Sequence, residues 1–220
     1  MRWVFLSSCL IFFYSVSFAS SCEDKYNFNG PNIIILGDSF FTSEENKGDC
    51  KNLEQVISQH FNSQNVFNVA VDGGRYLIQN PKFSEFDILS KYFNYNWDVI
   101  VLGGGGNDFE LCNLNQDCLV STKQDILNKI RNFLSNAKYQ DVYFIYPTQV
   151  SELAPIEWQQ LIEAGGGEFL NEIYQTLASE NDRHHFIDLG AEMRSDQQFW
   201  SEDGYHPSLD AYKLIPKHLK

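Results

Sequence analysis

The sequence predicts an α/β fold, a three-layer sandwich with a central, mostly parallel five-stranded sheet. Two observations lead there. From residue 33 onward, strand-length apolar runs alternate with segments whose apolar residues recur at helical spacing, and that alternation implies parallel strands joined by right-handed crossovers. The leading run, Ile33-Ile34-Ile35-Leu36, is continuous rather than alternating in polarity, as suits a strand buried on both faces of a sheet. A chain of 220 residues is long enough to close one such domain around a single core.

The residues ahead of that run read differently. Met1-Arg2 is a short basic start, Trp3 to Phe18 is nearly all apolar, and Ser17-Phe18-Ala19 is a small-x-small cleavage signal. Residues 1–19 are therefore expected to be a secretory signal peptide, leaving a domain at 32–219 that is secreted or periplasmic. A membrane anchor fits less well, because the apolar run is short and no polybasic flank follows it. Ala19-Ser20-Ser21-Cys22 loosely resembles a lipoprotein signal, with Ala19 where a larger aliphatic is usual.

The elements follow in order. After the strand at Ile33–Leu36, Leu53, Val56, Ile57 and Phe61 predict a helix over Asn52–Asn62, and Val66–Val71 reads as a second strand. A helix is expected within Pro81–Tyr92, then a third strand at Trp97–Leu102. Lys123–Ala137 carries Ile126, Leu127, Ile130, Phe133 and Leu134, the clearest amphipathic helix in the chain. Val142–Tyr146 is a fourth strand ended by Pro147, Glu168–Ala178 a helix, His185–Leu189 a short fifth strand, and Ser208–Lys217 a closing helix. Thr148 to Gly167 reads as either a substrate lid or a packed surface loop, with Gly165-Gly166-Gly167 as a hinge.

The net charge of −13 and the scarcity of basic runs disfavour nucleic acid and anionic membranes, which reward clustered Lys and Arg. Removing the signal removes Cys9 and leaves Cys22, Cys50, Cys112 and Cys118, an even set in an oxidising compartment. Of the three possible pairings, spacing favours Cys112–Cys118 and Cys22–Cys50. No Cys/His cluster suggests a metal.

Four short blocks carry the chemistry: Gly37-Asp38-Ser39-Phe40, Asn68 to Gly74, Gly103 to Asp108, and Asp203 to Pro207. Three of them follow the first three strands, at the sheet edge where open α/β folds bind ligands. Asp203 and His206, three residues apart, let a carboxylate reach one imidazole nitrogen while the other serves a nucleophile. Pro207 restricts His206 to an extended backbone. The Gly103–Gly106 run is not a dinucleotide fingerprint, since Asp108 stands at the sixth position, nor a P-loop, since Asn107-Asp108 follows it. Phe41 occupies the last glycine position of an α/β-hydrolase elbow, which is thereby absent.

In this order, the four blocks resemble the SGNH (GDSL-type) hydrolase family of esterases and lipases, in a secreted bacterial-type form, over about residues 32–219. The resemblance implies a flavodoxin-like sandwich, a Ser39–His206–Asp203 triad, and an oxyanion hole from Ser39, Gly73 and the Asn107 side chain. It also implies that Phe109 to Cys118 is a pocket-side loop clipped by a disulfide. Phe40 is expected at the substrate, Arg75 either there, to meet an anionic group, or in a surface salt bridge, and Asp108 is expected to anchor the glycine turn.

The expected function is hydrolysis of carboxylic esters through an acyl-serine, with no cofactor, no nucleic acid and no obligate protein partner. The substrate would be a small-molecule, glycan or lipid acyl ester. The alternatives are an O-acetyl-glycan deacetylase or acyltransferase of the cell envelope, or a non-catalytic binding module on the same fold.

Overall fold

The computed structural model describes residues 30–42, 51–77, 94–193 and 196–220. The signal segment, the helix expected within Pro81–Tyr92 and the pairing of Cys22 with Cys50 lie outside the described residues.

Five strands form one sheet: β1 (Ile33–Leu36), β2 (Val66–Asn68), β3 (Asn96–Leu102), β4 (Lys138–Tyr146) and β5 (His184–Asp188). Their order is β2-β1-β3-β4-β5, and every pairing is parallel. The expected fold class is therefore the observed one. β1 and the ends of β3 and β4 are the heart of the core: Ile33, Ile35, Ile100, Val101, Leu102, Val142, Phe144 and Ile145 are all fully buried. Burying a side chain of that kind is worth about 1.5–3 kcal/mol.

Helices cover both faces. On one, α2 (Lys51–Phe61) packs against the C-terminal elements α8 (Leu209–Tyr212) and a 3₁₀ turn at Ile215–Lys217. On the other, α4 (Gln116–Asn136) packs against α6 (Gly166–Ser179), with Lys123–Glu172 and Arg131–Glu180 ion pairs along the seam. Shorter helices sit near the carboxyl ends of the strands: α1 (Ser39–Thr42), α3 (Gly106–Glu110), α5 (Ile156–Glu163) and α7 (Leu189–Met193).

Several boundaries differ from expectation, each for a local reason. α4 starts seven residues early because Asn115 caps it, its side chain accepting from Cys118 N at 2.9 Å. Phe109–Cys118 is consequently not a plain loop. It is the end of α3, a turn and the start of α4, clipped by Cys112–Cys118. β4 begins at Lys138 because the polar stretch before Val142 pairs in register with Asn96–Val99. β2 ends at Asn68, although Val69 N and Val71 N still bond to Ile35 O and Gly37 O. Pro216 breaks the closing helix into two short pieces. The Gly165–Gly167 run starts a helix: Gly165 stands at the N-cap of α6, and Gly166 and Gly167 lie buried inside it.

Candidate active site

The carboxyl edge of the sheet brings the four blocks together. Gly37 continues β1, and Val71 N and Gly103 N donate to Gly37 O at 2.8 Å and Leu36 O at 3.0 Å. The second and third blocks are thus stitched to the first by the extension of the sheet's own ladder. Gly103 must lack a side chain, since a Cβ there would lie 2.5 Å from Ile145 O.

Ser39 opens α1. Asp38 caps it, with Oδ1 accepting from Phe40 N at 3.0 Å and Oδ2 accepting from the Tyr146 hydroxyl at 3.3 Å. Burial pushes the Asp38 carboxyl up to about 6, although the Phe40 N–H, the charge of His206 and the Tyr146 hydroxyl all pull it down. Phe40 is 3% exposed and walls the cavity beside Ser39. Its carbonyl is held by the Tyr212 hydroxyl at 2.5 Å.

The second block turns at Asp72-Gly73. Gly73 has φ 66°, and a Cβ built on it would meet nothing within 4 Å. The backbone conformation, not crowding, asks for glycine there. Asn68 braces the turn, donating from Nδ2 to Phe41 O and accepting from Ala70 N.

The third block is held by side chains from the segment after the second block and from α6. The Tyr76 and Tyr174 hydroxyls donate to Gly103 O and Gly104 O, both at 2.7 Å. Asp108 accepts from Tyr76 N and Leu77 N, both at 2.9 Å, locking the second block to the third. Burial raises its carboxyl to about 6 despite those bonds and the nearby Arg75 charge. Asn107 donates from Nδ2 to Gly74 O at 3.0 Å. A primary amide has two N–H donors, so this bond orients the group and leaves its second donor for the cavity that Asn107 lines. Arg75 is found in the salt-bridge arrangement. Its Nε donates to Asn107 O at 2.9 Å, its guanidinium pairs with Glu110 at 3.2 Å, and it lines neither cavity near the site. Arg75 thereby braces Asn107.

The fourth block is a tight polar loop. Asp203 Oδ1 accepts from Ser201 Oγ at 2.5 Å and from Tyr205 N and His206 N at 3.0 Å, and Oδ2 lies 2.6 Å from His206 Nδ1. Burial alone would raise the Asp203 carboxyl, but those four donors outweigh it and hold the group down to about 2. An ionised Asp203 fixes the Nδ1–H tautomer of His206. The ring is 4% exposed, and its Nε2 is buried without a hydrogen-bond partner. Its polar atom is thus present, oriented and unused, beside Ser39, Asn107 and Phe40 in one cavity lining.

The Thr148–Gly167 segment packs onto this loop. Ser151 N donates to Gly204 O at 3.0 Å, and Trp158 of α5 stacks on Tyr205 with ring centroids 5.4 Å apart. Tyr205 in turn lies 4.0 Å from the His206 ring. Trp158, Tyr205, Tyr146 and Asp38 were not assigned site roles from sequence. Tyr146 did carry a signal, its place at the carboxyl end of a strand. Among the described residues, no group of three or more His, Cys, Asp or Glu side chains is placed to hold a metal.

The architecture recurs in solved structures. A member of the lipolytic protein G-D-S-L family from Veillonella parvula aligns with a TM-score of 0.60 at 17% identity, covering 85% of this chain and 94% of its own. A phospholipase A1 from Streptomyces albidoflavus gives 0.58 at 16%, covering 86% and 99%. A carbohydrate acetylesterase from Sinorhizobium meliloti gives 0.57 at 13%, covering 84% and 94%. At these identities the likeness speaks for the fold alone. No curated protein matches the chain. Residues 35–214 match the GDSL-like Lipase/Acylhydrolase family, and all four blocks lie inside that span, so the chain belongs to the GDSL-like lipase/acylhydrolase family.

Proposed function

We propose that this protein is an exported serine hydrolase that cleaves carboxylic esters through an acyl-serine intermediate. The observation that carries the reading is the state of His206. One ring nitrogen is held by an ionised carboxylate, the other is buried without a partner, and the ring shares a cavity with Ser39 and Asn107. A buried, unpaired nitrogen costs stability, which a base waiting for a proton explains and a structural histidine does not.

In the proposed reaction, Ser39 Oγ attacks the ester carbonyl while its proton passes to His206 Nε2. The carbonyl π electrons move onto oxygen, and the oxyanion is met by the backbone N–H groups of Ser39 and Gly73 and by the free N–H of Asn107. Asp203 steadies the imidazolium without taking its proton. Collapse of the intermediate breaks the bond to the alcohol, which leaves with the proton from His206. Water, deprotonated by the same nitrogen, then attacks the acyl-serine and returns the carboxylic acid and free Ser39.

Export rests on residues 1–19 and is supported by the Cys112–Cys118 bond, which suits an oxidising compartment. Turnover of p-nitrophenyl acetate tests the reaction. Ser39→Ala and His206→Ala should each lose at least about a thousandfold in kcat, and the double variant should be barely worse. Retention of a tenth of the activity by Ser39→Ala would refute the assignment.

A further inference from the structure

We infer that the cleft sharing Trp158 and Leu161 with the catalytic cavity is the subsite for the alcohol half of the ester, and that its ligand is an uncharged polyhydroxylated alcohol, a sugar carrying a short acyl group. This rests on the ester-hydrolase reading above. Two cavities meet at a wall made by Trp158 and Leu161. The first, about 40 Å³, holds Ser39, Asn107 and His206 among apolar walls such as Phe109 and Leu170. A water needs about 10–15 Å³ of such space, so this cavity admits roughly three heavy atoms. An acetyl group fits, and a long acyl chain does not.

The second cavity, about 390 Å³, lies between the disulfide-clipped turn and α5, lined by Glu110, Asn113, Leu114, Glu157, Trp158, Gln160 and Leu161. Two carboxylates and two amides make it a poor home for a hydrocarbon tail, which would strip them of water. Nor does it suit an anion. Among the described residues lining either cavity there is no Lys or Arg, and Arg75 is spent on Asn107 O and Glu110. A phosphate or carboxylate entering the cleft would face Glu157, while the Arg75 guanidinium is already taken up by Glu110.

A sugar matches the mixture. Its C–H face can lie on Trp158, Leu114 and Leu161, and its hydroxyls can donate to Glu157 and bond in both directions with Asn113 and Gln160. The turn that supplies two of these groups is built at a conformational cost. Asn113 and Leu114 are consecutive non-glycine residues with φ 46° and 63°, between two bonded cysteines, and Leu114 remains 42% exposed. Strain of this kind persists where the surroundings impose it, and it gathers at ligand-binding sites.

The test compares kcat/KM for three acetates: ethyl acetate, 6-O-acetylglucose and 1-acetylglycerol 3-phosphate. The sugar ester should exceed ethyl acetate by about tenfold or more, with the phosphate ester poorest. Gln160→Ala and Glu157→Ala should each lower the sugar-to-ethyl ratio several-fold, chiefly through KM, and Glu157→Lys should improve the phosphate ester. A ratio near one in the wild type, a ratio untouched by both alanine variants, or a preference for the phosphate ester would overturn the inference. Calorimetric titration of 6-O-acetylglucose into Ser39→Ala protein separates this from the reaction itself. Binding that Gln160→Ala weakens upholds the subsite even if no ester is turned over, and no binding at millimolar sugar ester removes it.

Discussion

Replacing Asp38 by Asn asks what a buried carboxylate beside the nucleophile does to the folded state. Its carboxyl is pushed by burial from 3.8 to about 6. At 1.36 kcal/mol per unit, that displacement of about 2 units makes the ionised group cost about 3 kcal/mol of folding free energy. The sign follows from linkage. The native state binds this proton more tightly than the unfolded chain does, so the cost is full above about pH 6 and fades as pH falls toward 4. Asparagine retains an oxygen for the Phe40 N–H and turns an amide toward the Tyr146 oxygen, which can accept from it. Asp38→Asn should therefore be more stable than wild type by about 1–3 kcal/mol at pH 8, or about 2–4 °C in Tm per kcal/mol. The gap should narrow at pH 6 and close near pH 4. Activity should fall at the same time, because the imidazolium formed during the reaction loses the attraction of a nearby carboxylate. Urea unfolding at the three pH values, with unchanged m, reads the effect. A variant no more stable than wild type at pH 8, or a gap independent of pH, would refute the reasoning.

Other outcomes follow from the same geometry. Asn107→Ala should lower kcat by about 10²–10³ with little change in KM, and a thermal melt should show whether the glycine turn survives. Asp203→Asn should lower kcat by about 10⁴, since the amide no longer enforces the Nδ1–H tautomer of His206. Because the Asp203 carboxyl is held down to about 2 in the folded state, it contributes stability above its unfolded value near 4 that is lost as pH falls toward 2. The variant should thus show a smaller loss of stability than wild type between pH 5 and 2.5. Gly103→Ala should destabilise by roughly 1–3 kcal/mol, because its Cβ would press on Ile145 O and the Phe41 ring.

Much of this molecule was legible in its residues. β1 was placed without error because a buried parallel strand leaves an unbroken apolar run, and β3 missed only its first residue, Asn96. The pairing of His206 with Asp203 could be anticipated because three residues of loop confine both groups, whatever the rest of the chain does. Other features were invisible for a physical reason. The polar start of β4 lacks an apolar signal, and only pairing with β3 makes it a strand. α5 has Leu161 as its buried side chain and looks like a loop until Trp158 meets Tyr205 from a distant block. The bonds Arg75 makes could not be read from sequence, because its partners, Asn107 and Glu110, lie more than thirty residues away and meet it only through the fold. Asp38 and Tyr146 are 108 residues apart and meet only where two strand ends converge.

The central claim is that Ser39 is a nucleophile served by His206, and covalent capture tests it most directly. Intact-mass measurement after incubation with a fluorophosphonate should show one adduct per chain in the wild type, mapped to the peptide containing Ser39. The adduct should be absent from Ser39→Ala and form at least a hundredfold more slowly in His206→Ala, where the proton acceptor is missing. An adduct on any other residue, an unlabelled wild-type chain, or equal labelling of the His206→Ala variant would contradict the account.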